Sequence, residues 1–502
     1  MRFRPHPTAL LKQCGVKITP ILTIIVNLSL ANAEVPAVLK QAIVKPLLKK
    51  VSLDRDNLKN YRPVSNLSFI SKLCEKIVAR RMHSYLDSHD LLNPFQSAYR
   101  RHHSTETALL RVHNDLVSDI GNKKMAVLLL LDLSSAFDTV DHQILLDRLQ
   151  NRYGINANAL AWFRAYLKDR SRYVSVMGSN SASVMLTTGV PQGSVLGPIL
   201  FSLYVGPLYD ITQLHGIRAH FYADDTQLYI AIDPKLDMSS SLKRVELCLL
   251  HIKKWMKRNF LKLNDEKTEM LLIGSRSNLN KCRSLSIKLG VTVIESKSEV
   301  KNLGSIFDSE LSMDSFISAK CSSAAYYLRC ISRIRKFLDI ESTKTLIHAF
   351  VTSRLDYANG LLISANNSSI ARLQVIQNRA ARLIVKAQIR DHVTPIQKQL
   401  HWLPIDFRIK FKIILMCFNC IHNTAPSYLR ELIHIHEPSR RLRSSDKLLL
   451  HVPFRKSKFG DKSFEVRAPQ LWNSLPVSLR SCQTLTTFKS KLKTFLFRLA
   501  CA

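Results

Sequence analysis

The chain contains little glycine, few acidic residues and no long apolar run. Among 502 residues there are 14 glycines and 38 Asp plus Glu, against 73 Lys plus Arg. The low glycine content and the lack of repeated tracts exclude collagen-like and low-complexity proteins. No segment reaches the roughly 18 consecutive apolar residues that a membrane-spanning helix requires. A hydrophobic content of 46% excludes a disordered chain and predicts packed cores.

The excess of basic residues gives a formal net charge of +35. A polyanionic partner explains this charge, because each phosphate that Lys or Arg neutralises releases counterions. Nucleic acid is therefore the expected partner. Charge alone does not distinguish an enzyme that acts on nucleic acid from a protein that merely adheres to it.

The ten cysteines have no spacing typical of a disulfide framework, which predicts free thiols in a reducing compartment. Cys417 and Cys420, followed by His422, His434 and His436, suggest a zinc site. A zinc ribbon needs a second ligand pair at matching spacing, and the last two histidines are only two residues apart. The two cysteines also fall in an apolar helical pattern, so we predict buried core thiols.

Two adjacent carboxylates, Asp224 and Asp225, stand between two apolar, β-rich runs in the segment 220–229. The flanking aromatic and aliphatic residues predict a β-hairpin with the acids at its turn. Oxygen-only ligands on a rigid support suit Mg²⁺ or Mn²⁺ better than zinc. An isolated Asp-Asp pair is usually a solvated acidic turn, so the interpretation depends on two segments upstream.

The first of these segments is an apolar run at 126–131 that ends in Asp132. A run without polar alternation predicts a strand covered on both faces, and Asp132 would share metal ions with Asp224 and Asp225. The second segment, 189–198, combines glycines and prolines, which are typical of turns and of close approach to a ligand.

In this order, the three segments resemble the palm of reverse transcriptases. The segments LDLSSAFDTVDH, GVPQGSVLGPILF and YADDTQLY are similar to those of non-LTR (LINE-type) retrotransposon polymerases of the jockey and chicken-repeat branches. The resemblance covers nearly the whole chain. Its further segments are 61–67, 96–107, 255–256, 262–270, 302–304, 353–357, 401–404 and 468–476.

The resemblance implies an α+β right-hand polymerase, with fingers, a palm built on an antiparallel sheet, and a thumb, followed by a mostly helical C-terminal region. The expected divisions are an N-terminal helical lead-in at 1–40, fingers and palm at 41–275, a thumb-like connection at 276–345, and a helical region of unknown role at 346–502. Full elements of this kind also carry an endonuclease before the polymerase, and we expect none in this chain.

The resemblance also assigns roles to individual residues. Asp132 and Asp224 are the expected principal ligands of two Mg²⁺ (or Mn²⁺) ions, and Asp225 is a supporting one. Gln192 and Gly193 match positions that line the incoming nucleotide and template, and Phe137 matches an aromatic residue under the sugar. The remaining candidates are Arg100 and Tyr222 for nucleotide binding and Lys267 as proton donor to the departing pyrophosphate.

Two of these residues have equally simple structural explanations. Lys267 would also suit an exposed surface position, and Phe137 would also suit the palm core, since phenylalanine is usually buried.

The expected partners are an RNA template, a DNA primer and deoxynucleoside triphosphates, with no membrane; the oligomeric state stays open. An RNA-dependent RNA polymerase would need the same three acids but not Phe137. A catalytically inactive, truncated copy that only binds nucleic acid is the other alternative, against which the intact acids argue.

The N-terminus contains a pattern similar to a signal peptide, with an apolar run at 21–26 followed by Ala31-Asn32-Ala33. The run is short and Asn27 interrupts it, and the family resemblance makes this segment helical core. We therefore predict a protein that is not secreted and is cytoplasmic or nuclear.

Outside the three motifs, helical periodicity predominates. Residues 1–60 are expected to form a helix and a Lys-rich turn, and 61–118 to be helical. The expected buried positions are Leu73, Ile77, Met82, Tyr85, Leu86, Leu145, Leu149, Leu160, Trp162, Ile317, Cys321, Ala324, Leu328, Ile331, Phe337, Leu373, Val375, Ala380 and Ile384. Basic residues, among them Lys320, Arg329, Arg333 and Lys336, are expected on the other faces of the thumb helix.

Overall fold

A computed structural model describes residues 13–134, 137–235, 238–282, 285–290, 292–437, 448–455 and 457–501. The first 12 residues of the expected N-terminal lead-in lie outside this range. The chain forms two compact units. The first contains Met1–Tyr99, Asp132–Gly216 and Leu247–Glu266, and the second contains Arg100–Leu131, Ile217–Glu246 and Lys267–Ala502.

The regular elements are numbered in chain order. The helices are α1 (Gly15–Ala31), α2 (Phe69–Ser88), α3 (Thr105–Gly121), α4 (His142–Asn151), α5 (Ala157–Leu167), α6 (Leu196–Tyr204), α7 (Leu208–Leu214), α8 (Met238–Arg258), α9 (Arg276–Lys281), α10 (Asp314–Ile334), α11 (Ile340–Ile347), α12 (Ser353–Asp356), α13 (Asn367–Val385), α14 (Val393–Leu400), α15 (Ile405–Ile421), α16 (Ser427–Arg430), α17 (Phe464–Asn473), α18 (Val477–Arg480) and α19 (Leu485–Cys501). The strands are β1 (Gln41–Leu48), β2 (Tyr61–Asn66), β3 (Met125–Leu131), β4 (Leu133–Ser134), β5 (Arg170–Val176), β6 (Ser179–Asn180), β7 (Val184–Leu186), β8 (Arg218–Tyr222), β9 (Asp225–Ile232), β10 (Lys262–Leu263), β11 (Glu269–Ile273), β12 (Ser286–Leu289), β13 (Thr292–Lys297), β14 (Glu299–Asn302) and β15 (Ser305–Asp308).

The first unit contains a sheet in which β1 pairs antiparallel with β2 and parallel with β5. The predicted helical structure is wrong for β1 and β2, whereas the predicted Lys-rich turn is present after Leu48. Pro46 and Pro63 pair across the two strands, and proline is unfavourable in a helix interior because it lacks the N–H and clashes with the preceding turn. Ala42 and Val44 are buried at alternate positions, which is the periodicity of a strand.

Helix α2 follows β2 and begins at a cap, where the Ser71 N–H donates to Ser68 Oγ at 3.2 Å. Its buried face differs from the predicted one by a rotation about the helix axis. Leu73, Ile77 and Tyr85 are only half-buried. The fully buried positions are Ser71, Cys74, Glu75, Val78, Ala79, Met82 and Leu86. A carboxylate therefore lies on the core face of this helix.

Helices α4 and α5 complete the first unit's core as predicted. Leu145, Leu149, Leu160 and Trp162 are all buried. Helix α1 behaves differently, because Ile21, Ile24 and Leu28 are exposed and its buried residues are Val26 and Ser29. The expectation that this segment is helical core is wrong for those three side chains. None of the described helices is both long and apolar enough to cross a membrane.

The second unit is built on a six-stranded sheet of order β12-β13-β11-β3-β9-β8. Strand β3 pairs antiparallel with β9 and β11, and six of its seven residues are buried, which confirms the predicted strand covered on both faces. Helix α3 packs on β3 and β8. There Arg111 Nε donates to Asp115 Oδ2 at 2.9 Å, and the Tyr229 hydroxyl donates to the same oxygen at 2.8 Å.

The C-terminal half of the second unit is helical, as predicted, with α10 packed on α13. Three side chains of the predicted pattern lie on the wrong side, and Cys321 is only half-buried. Phe337 and Val375 are exposed, because Phe337 falls in a 3₁₀ turn after α10 has ended and Val375 lies on the outer side of α13. Lys320 is buried, since its ammonium group donates to the carbonyls of Arg354 and Leu355 at 3.0 and 3.2 Å.

The predicted core thiols are confirmed. Cys417 and Cys420 lie on the buried side of α15, and burial raises the pKa of the Cys420 thiol to about 12. Phe418 stacks on Phe488 with ring centroids 4.2 Å apart, and Trp472 donates to the Leu448 carbonyl at 2.9 Å. The 468–476 segment, which the sequence singled out by resemblance, thus serves the core of this region.

Candidate polymerase site

The predicted acidic hairpin, formed by β8, β9 and the turn between them, is present in the second unit. Tyr222 pairs with Asp225 and closes a turn of two residues, Ala223 and Asp224. Ala223 has a φ of 58°, in the left-handed region that hairpin turns of two residues use and that a residue with a Cβ adopts at some cost. Asp224 is half-buried and Asp225 is exposed.

Two segments that the sequence singled out only by resemblance support this hairpin. Asn302 Nδ2 donates to Gln227 Oε1 at 2.8 Å, and both side chains are buried. The Tyr357 hydroxyl donates to the carbonyl of Leu303. Burial raises the pKa of the Tyr222 hydroxyl, and Tyr357 adds to the rise. The 302–304 turn and the 353–357 segment therefore position the acidic hairpin, a role that their sequence does not reveal.

Asp132 is the residue that follows the end of β3. Leu131, the last residue of that strand, pairs with Thr226 of β9 within the second unit. Asp132 itself begins the next stretch of the first unit, where its carbonyl accepts a hydrogen bond from the Asn264 N–H at 2.9 Å. Its side chain is half-buried.

The first unit contains residues 189–197, which we call the Pro-Gln-Gly loop. At its start Gly189 has a φ of 86°, and a Cβ there would come within 2.8 Å of the Asp138 carbonyl oxygen. The Gly189 N–H donates to Val140 O at 2.7 Å and the Val190 N–H to Phe137 O at 2.8 Å. Only glycine fits where the backbones approach so closely.

In the middle of the loop, Gln192 and Gly193 lie against strand β2. The Ser65 N–H donates to the Gln192 carbonyl at 2.7 Å. Gly193 has a φ of 110°, and a Cβ there would come within 2.6 Å of the Ser65 carbonyl oxygen. Further along, Ser194 Oγ accepts from the Gly197 N–H at 2.9 Å and closes the loop onto helix α6.

Phe137 belongs to the same unit as the Pro-Gln-Gly loop. Its side chain is half-buried, and its ring packs on Phe201 of helix α6 with centroids 4.7 Å apart. The contact holds one side of the ring against Phe201, and the rest of the side chain is accessible to solvent.

The structure thus divides the predicted site residues into two groups. The first unit holds Asp132, Phe137, Gln192 and Gly193, and the second holds Arg100, Tyr222, Asp224, Asp225 and Lys267. Arg100 is half-buried next to Tyr99, and Lys267 is exposed at the end of a 3₁₀ turn. The roles predicted for these nine residues stay predictions.

The donors that the hairpin offers a metal ion are two adjacent carboxylates, which match the hard oxygen ligands that Mg²⁺ and Mn²⁺ prefer. Within the described ranges, no three or more His, Cys, Asp or Glu side chains are gathered so that they would hold an ion. Neighbouring carboxylates repel one another unless a cation compensates their charge. The chemistry of the two hairpin donors therefore fits a divalent cation.

One functional candidate was missed from the sequence. Glu75, on the core face of α2, accepts a hydrogen bond from the Val195 N–H in the Pro-Gln-Gly loop. The available signal was an acid at a core-facing position of an amphipathic helix, where a charge is rare unless it is paired. The rotation of the predicted face of α2 concealed it.

A mostly antiparallel sheet that bears an acidic hairpin at a two-residue turn is the core of a template-directed polymerase palm. The chain belongs to the reverse transcriptase (RNA-dependent DNA polymerase) family, whose model matches residues 48–307. The predicted α+β fold with a mostly helical C-terminal region is confirmed. The reaction of this family is RNA-directed DNA synthesis, a nucleotidyl transfer that depends on divalent metal ions.

Curated relatives confirm the similarity to jockey-type non-LTR retrotransposons. The chain is 27% identical over 421 residues to the probable RNA-directed DNA polymerase from transposon BS of Drosophila melanogaster, which is 80% of this chain and 44% of that protein. It is also 27% identical over 303 residues to the RNA-directed DNA polymerase from mobile element jockey of the same species, covering 59% and 32%. The chain thus spans less than half the length of these relatives.

Among solved structures, an apo telomerase from Candida tropicalis is similar with a TM-score of 0.41 and 10% sequence identity, over 77% of this chain and 66% of that one. At this TM-score the likeness adds nothing to the family assignment.

Proposed function

We propose that this chain synthesises DNA on an RNA template by extending a primer, and that Asp132, Asp224 and Asp225 together hold the metal ions. The register of the second unit's sheet carries the proposal. Leu131 pairs with Thr226, Asp132 is the residue after Leu131, and Asp225 is the residue before Thr226. Each of the two paired residues is therefore directly bonded to an acid, Leu131 to Asp132 and Thr226 to Asp225.

The three carboxylates would hold two Mg²⁺ (or Mn²⁺) ions, which when bound stabilise the attacking and leaving oxygens of an in-line displacement. The hairpin ladder fixes the backbone of Asp224 and Asp225, and the Gln227–Asn302 hydrogen bond fixes the strand behind them. Rigid placement matters because a displaced ligand loses much of the effect of proximity.

The nucleotide would lie against the Pro-Gln-Gly loop, with the ring of Phe137 under its sugar. Support comes from the Val190 N–H of the loop, which donates to the Phe137 carbonyl at 2.8 Å and so holds the loop beside the residue that carries the ring. Gly189 and Gly193 restrict the path of the loop, because a Cβ on either would meet the carbonyl oxygen of Asp138 or of Ser65.

Primer extension tests the proposal directly. Purified protein is incubated with a DNA primer annealed to an RNA template, deoxynucleoside triphosphates and Mg²⁺. We expect extension to the end of the template, weaker or no extension with ribonucleotides, and loss of all extension with a chelator. Binding of the primer–template without any extension, under Mg²⁺ and Mn²⁺ alike, would favour the inactive, binding-only alternative.

A further inference from the structure

Glu75 is a carboxylate almost completely removed from solvent, with 1% of its surface exposed. Its Oε2 accepts from the Val195 N–H at 2.5 Å, and its Oε1 accepts from the Tyr166 hydroxyl at 2.9 Å. Burial raises the pKa of this carboxyl, whereas the Val195 N–H, the Tyr166 hydroxyl, Arg170 and the Leu196 N–H act in the opposite direction. Burial is the largest of these effects, so the pKa of Glu75 stays above its usual value, and the four partners limit the rise.

Helix α6 begins at Leu196, and Val195 near the end of the Pro-Gln-Gly loop is its N-cap residue. The first N–H groups of a helix have no partner within the helix, and the N-cap residue of α6, Val195, has no capping side chain. A carboxylate at this end also interacts favourably with the helix dipole. Ser194 Oγ accepts from the Gly197 N–H at 2.9 Å, and Glu75 accepts from the Val195 N–H, so the start of α6 is held by one local side chain and by one from α2.

The other end of the loop is tied to the same cluster through Arg170. This residue pairs with Leu186, three residues before Gly189, in the ladder of β5 and β7. Its side chain is 1% exposed, lies over the Tyr166 ring at 4.6 Å and donates from one terminal nitrogen to the Tyr166 carbonyl at 3.0 Å. Its Nε and Nη2 have no hydrogen-bond partner among the described residues.

A buried guanidinium with unused donors needs a compensating charge nearby. Tyr166 contacts both residues, because its hydroxyl donates to Glu75 while its ring and carbonyl contact Arg170. Arg170 acts to lower the pKa of Glu75. The entry and the exit of the Pro-Gln-Gly loop are thereby held by one buried cluster of Glu75, Tyr166 and Arg170.

We propose that Glu75 is a positioning residue, whose carboxylate fixes the Pro-Gln-Gly loop in the conformation that receives the incoming nucleotide. The inference rests on the proposed function, because it takes this loop as the nucleotide site. Glu75 does not touch the nucleotide; it acts through the backbone of Val195 and the start of α6.

The test compares Glu75→Ala and Glu75→Gln with a matched control on the same helix. Met82→Ala removes another buried side chain of α2, two turns further on, and creates a cavity without touching the loop. Binding of the templated deoxynucleotide is measured at equilibrium on a primer with a dideoxy end, so that affinity is obtained without chemistry. Primer–template affinity and the thermal midpoint are measured in parallel.

We expect Glu75→Ala to weaken nucleotide binding about tenfold or more, because two hydrogen bonds to a charged acceptor are lost. Primer–template affinity should change by less than about twofold, since the phosphate contacts that dominate it are untouched. Glu75→Gln should recover part of the loss, because its amide oxygen can still accept from Val195. Met82→Ala should lower the midpoint and leave nucleotide affinity unchanged.

Hydrogen exchange gives a readout that needs no nucleotide. The Val195 amide should exchange faster in Glu75→Ala and at the parental rate in Met82→Ala. Equal nucleotide affinity in Glu75→Ala and the parent, or an equal loss in Met82→Ala, would overturn the positioning role. If the parent protein bound nucleotide but never extended the primer, the proposed function would be contradicted. The positioning role of Glu75 would still be decided by the nucleotide affinities of the variants.

Discussion

The acidic hairpin and the Pro-Gln-Gly loop are held in place by different kinds of contact. The hairpin is part of a ladder, since β9 pairs with β8 on one side and with β3 on the other. The loop has no ladder of its own and depends on a few polar contacts, to Val140, Phe137, Ser65 and Glu75. The sheet ladder therefore fixes the backbone of the acidic hairpin as a whole. The conformation of the loop can instead be altered by removing one polar contact at a time.

The largest effect is expected from the hairpin. Asp224→Asn removes one negative charge without changing the shape of the side chain, and synthesis should fall by about 10²–10³-fold or more, because charge stabilisation of the transition state is lost. Primer extension and primer–template affinity are both measured, and affinity should stay near the parental value.

Asp233→Asn is the matched control for that change. Asp233 directly follows the other end of β9, so its replacement alters net charge equally without reaching the turn. If both variants extended primers at the parental rate, the metal assignment would be wrong.

The next effect concerns Phe137, beside the loop. If the ring excludes the 2′-hydroxyl, Phe137→Val should raise ribonucleotide relative to deoxyribonucleotide incorporation by roughly a hundredfold. If the ring only packs on Phe201, the same change should lower stability by about 1–3 kcal/mol and reduce both activities together. Steady-state incorporation of both nucleotide types separates the outcomes, and an unchanged ratio would exclude the sugar-selecting role.

Acid should affect the hairpin through His220 on β8. Burial lowers the pKa of His220 to about 3, with Arg111 and His103 adding to the effect. The folded protein therefore binds fewer protons than the unfolded chain, so stability is complete above pH 6.5 and falls as the pH drops towards about 3. At pH 5 this histidine should reduce the free energy of unfolding by about 2 kcal/mol.

His220→Leu removes the titrating group and should abolish that part of the loss. Urea unfolding at pH 7.5 and pH 5 gives the difference for the parent and the variant. Buried His113, with its pKa lowered to about 4, contributes separately and remains in both proteins. If the free energy of unfolding fell by the same amount between pH 7.5 and pH 5 in the parent and in His220→Leu, protonation of His220 would not be the cause.

The smallest effect is expected from adding one methyl group to the loop. In Gly193→Ala the new Cβ meets the Ser65 carbonyl at 2.6 Å, so the loop must shift and nucleotide affinity should fall about tenfold, the equivalent of roughly 1.4 kcal/mol. Equilibrium binding to a dideoxy-ended primer measures it.

Gly178→Ala controls for backbone strain alone. Gly178 also has a left-handed backbone, with a φ of 91°, but an added Cβ would meet nothing within 4 Å. It should lower stability by about 1–2 kcal/mol and leave nucleotide affinity unchanged. Loss of affinity in this variant as well would mean that strain, and not the contact with Ser65, controls the loop.

The sequence predicted the hairpin and strand β3 because both depend on local patterns. An apolar run without polar alternation and two β-rich runs around a short turn have few other solutions in a sheet. Helix α2 shows the limit. Its periodicity predicts Leu73 and Tyr85 on the core face, where the structure has Glu75. Apolar residues on both sides of a helix leave its rotation undetermined until its neighbours are known.

Local patterns along the chain are enough to predict the family, the strand that leads to Asp132, the hairpin at Asp224 and Asp225, and the glycines at 189 and 193. Each follows from neighbouring residues and their steric or periodic demands. Three features depend on the packing of distant segments: Glu75 accepts from the N–H of Val195 at the start of α6, Lys320 is buried, and Asn302 donates to Gln227. A hydrogen bond between residues 75 and 195 depends on packing, and packing brings together partners that no spacing along the chain can reveal.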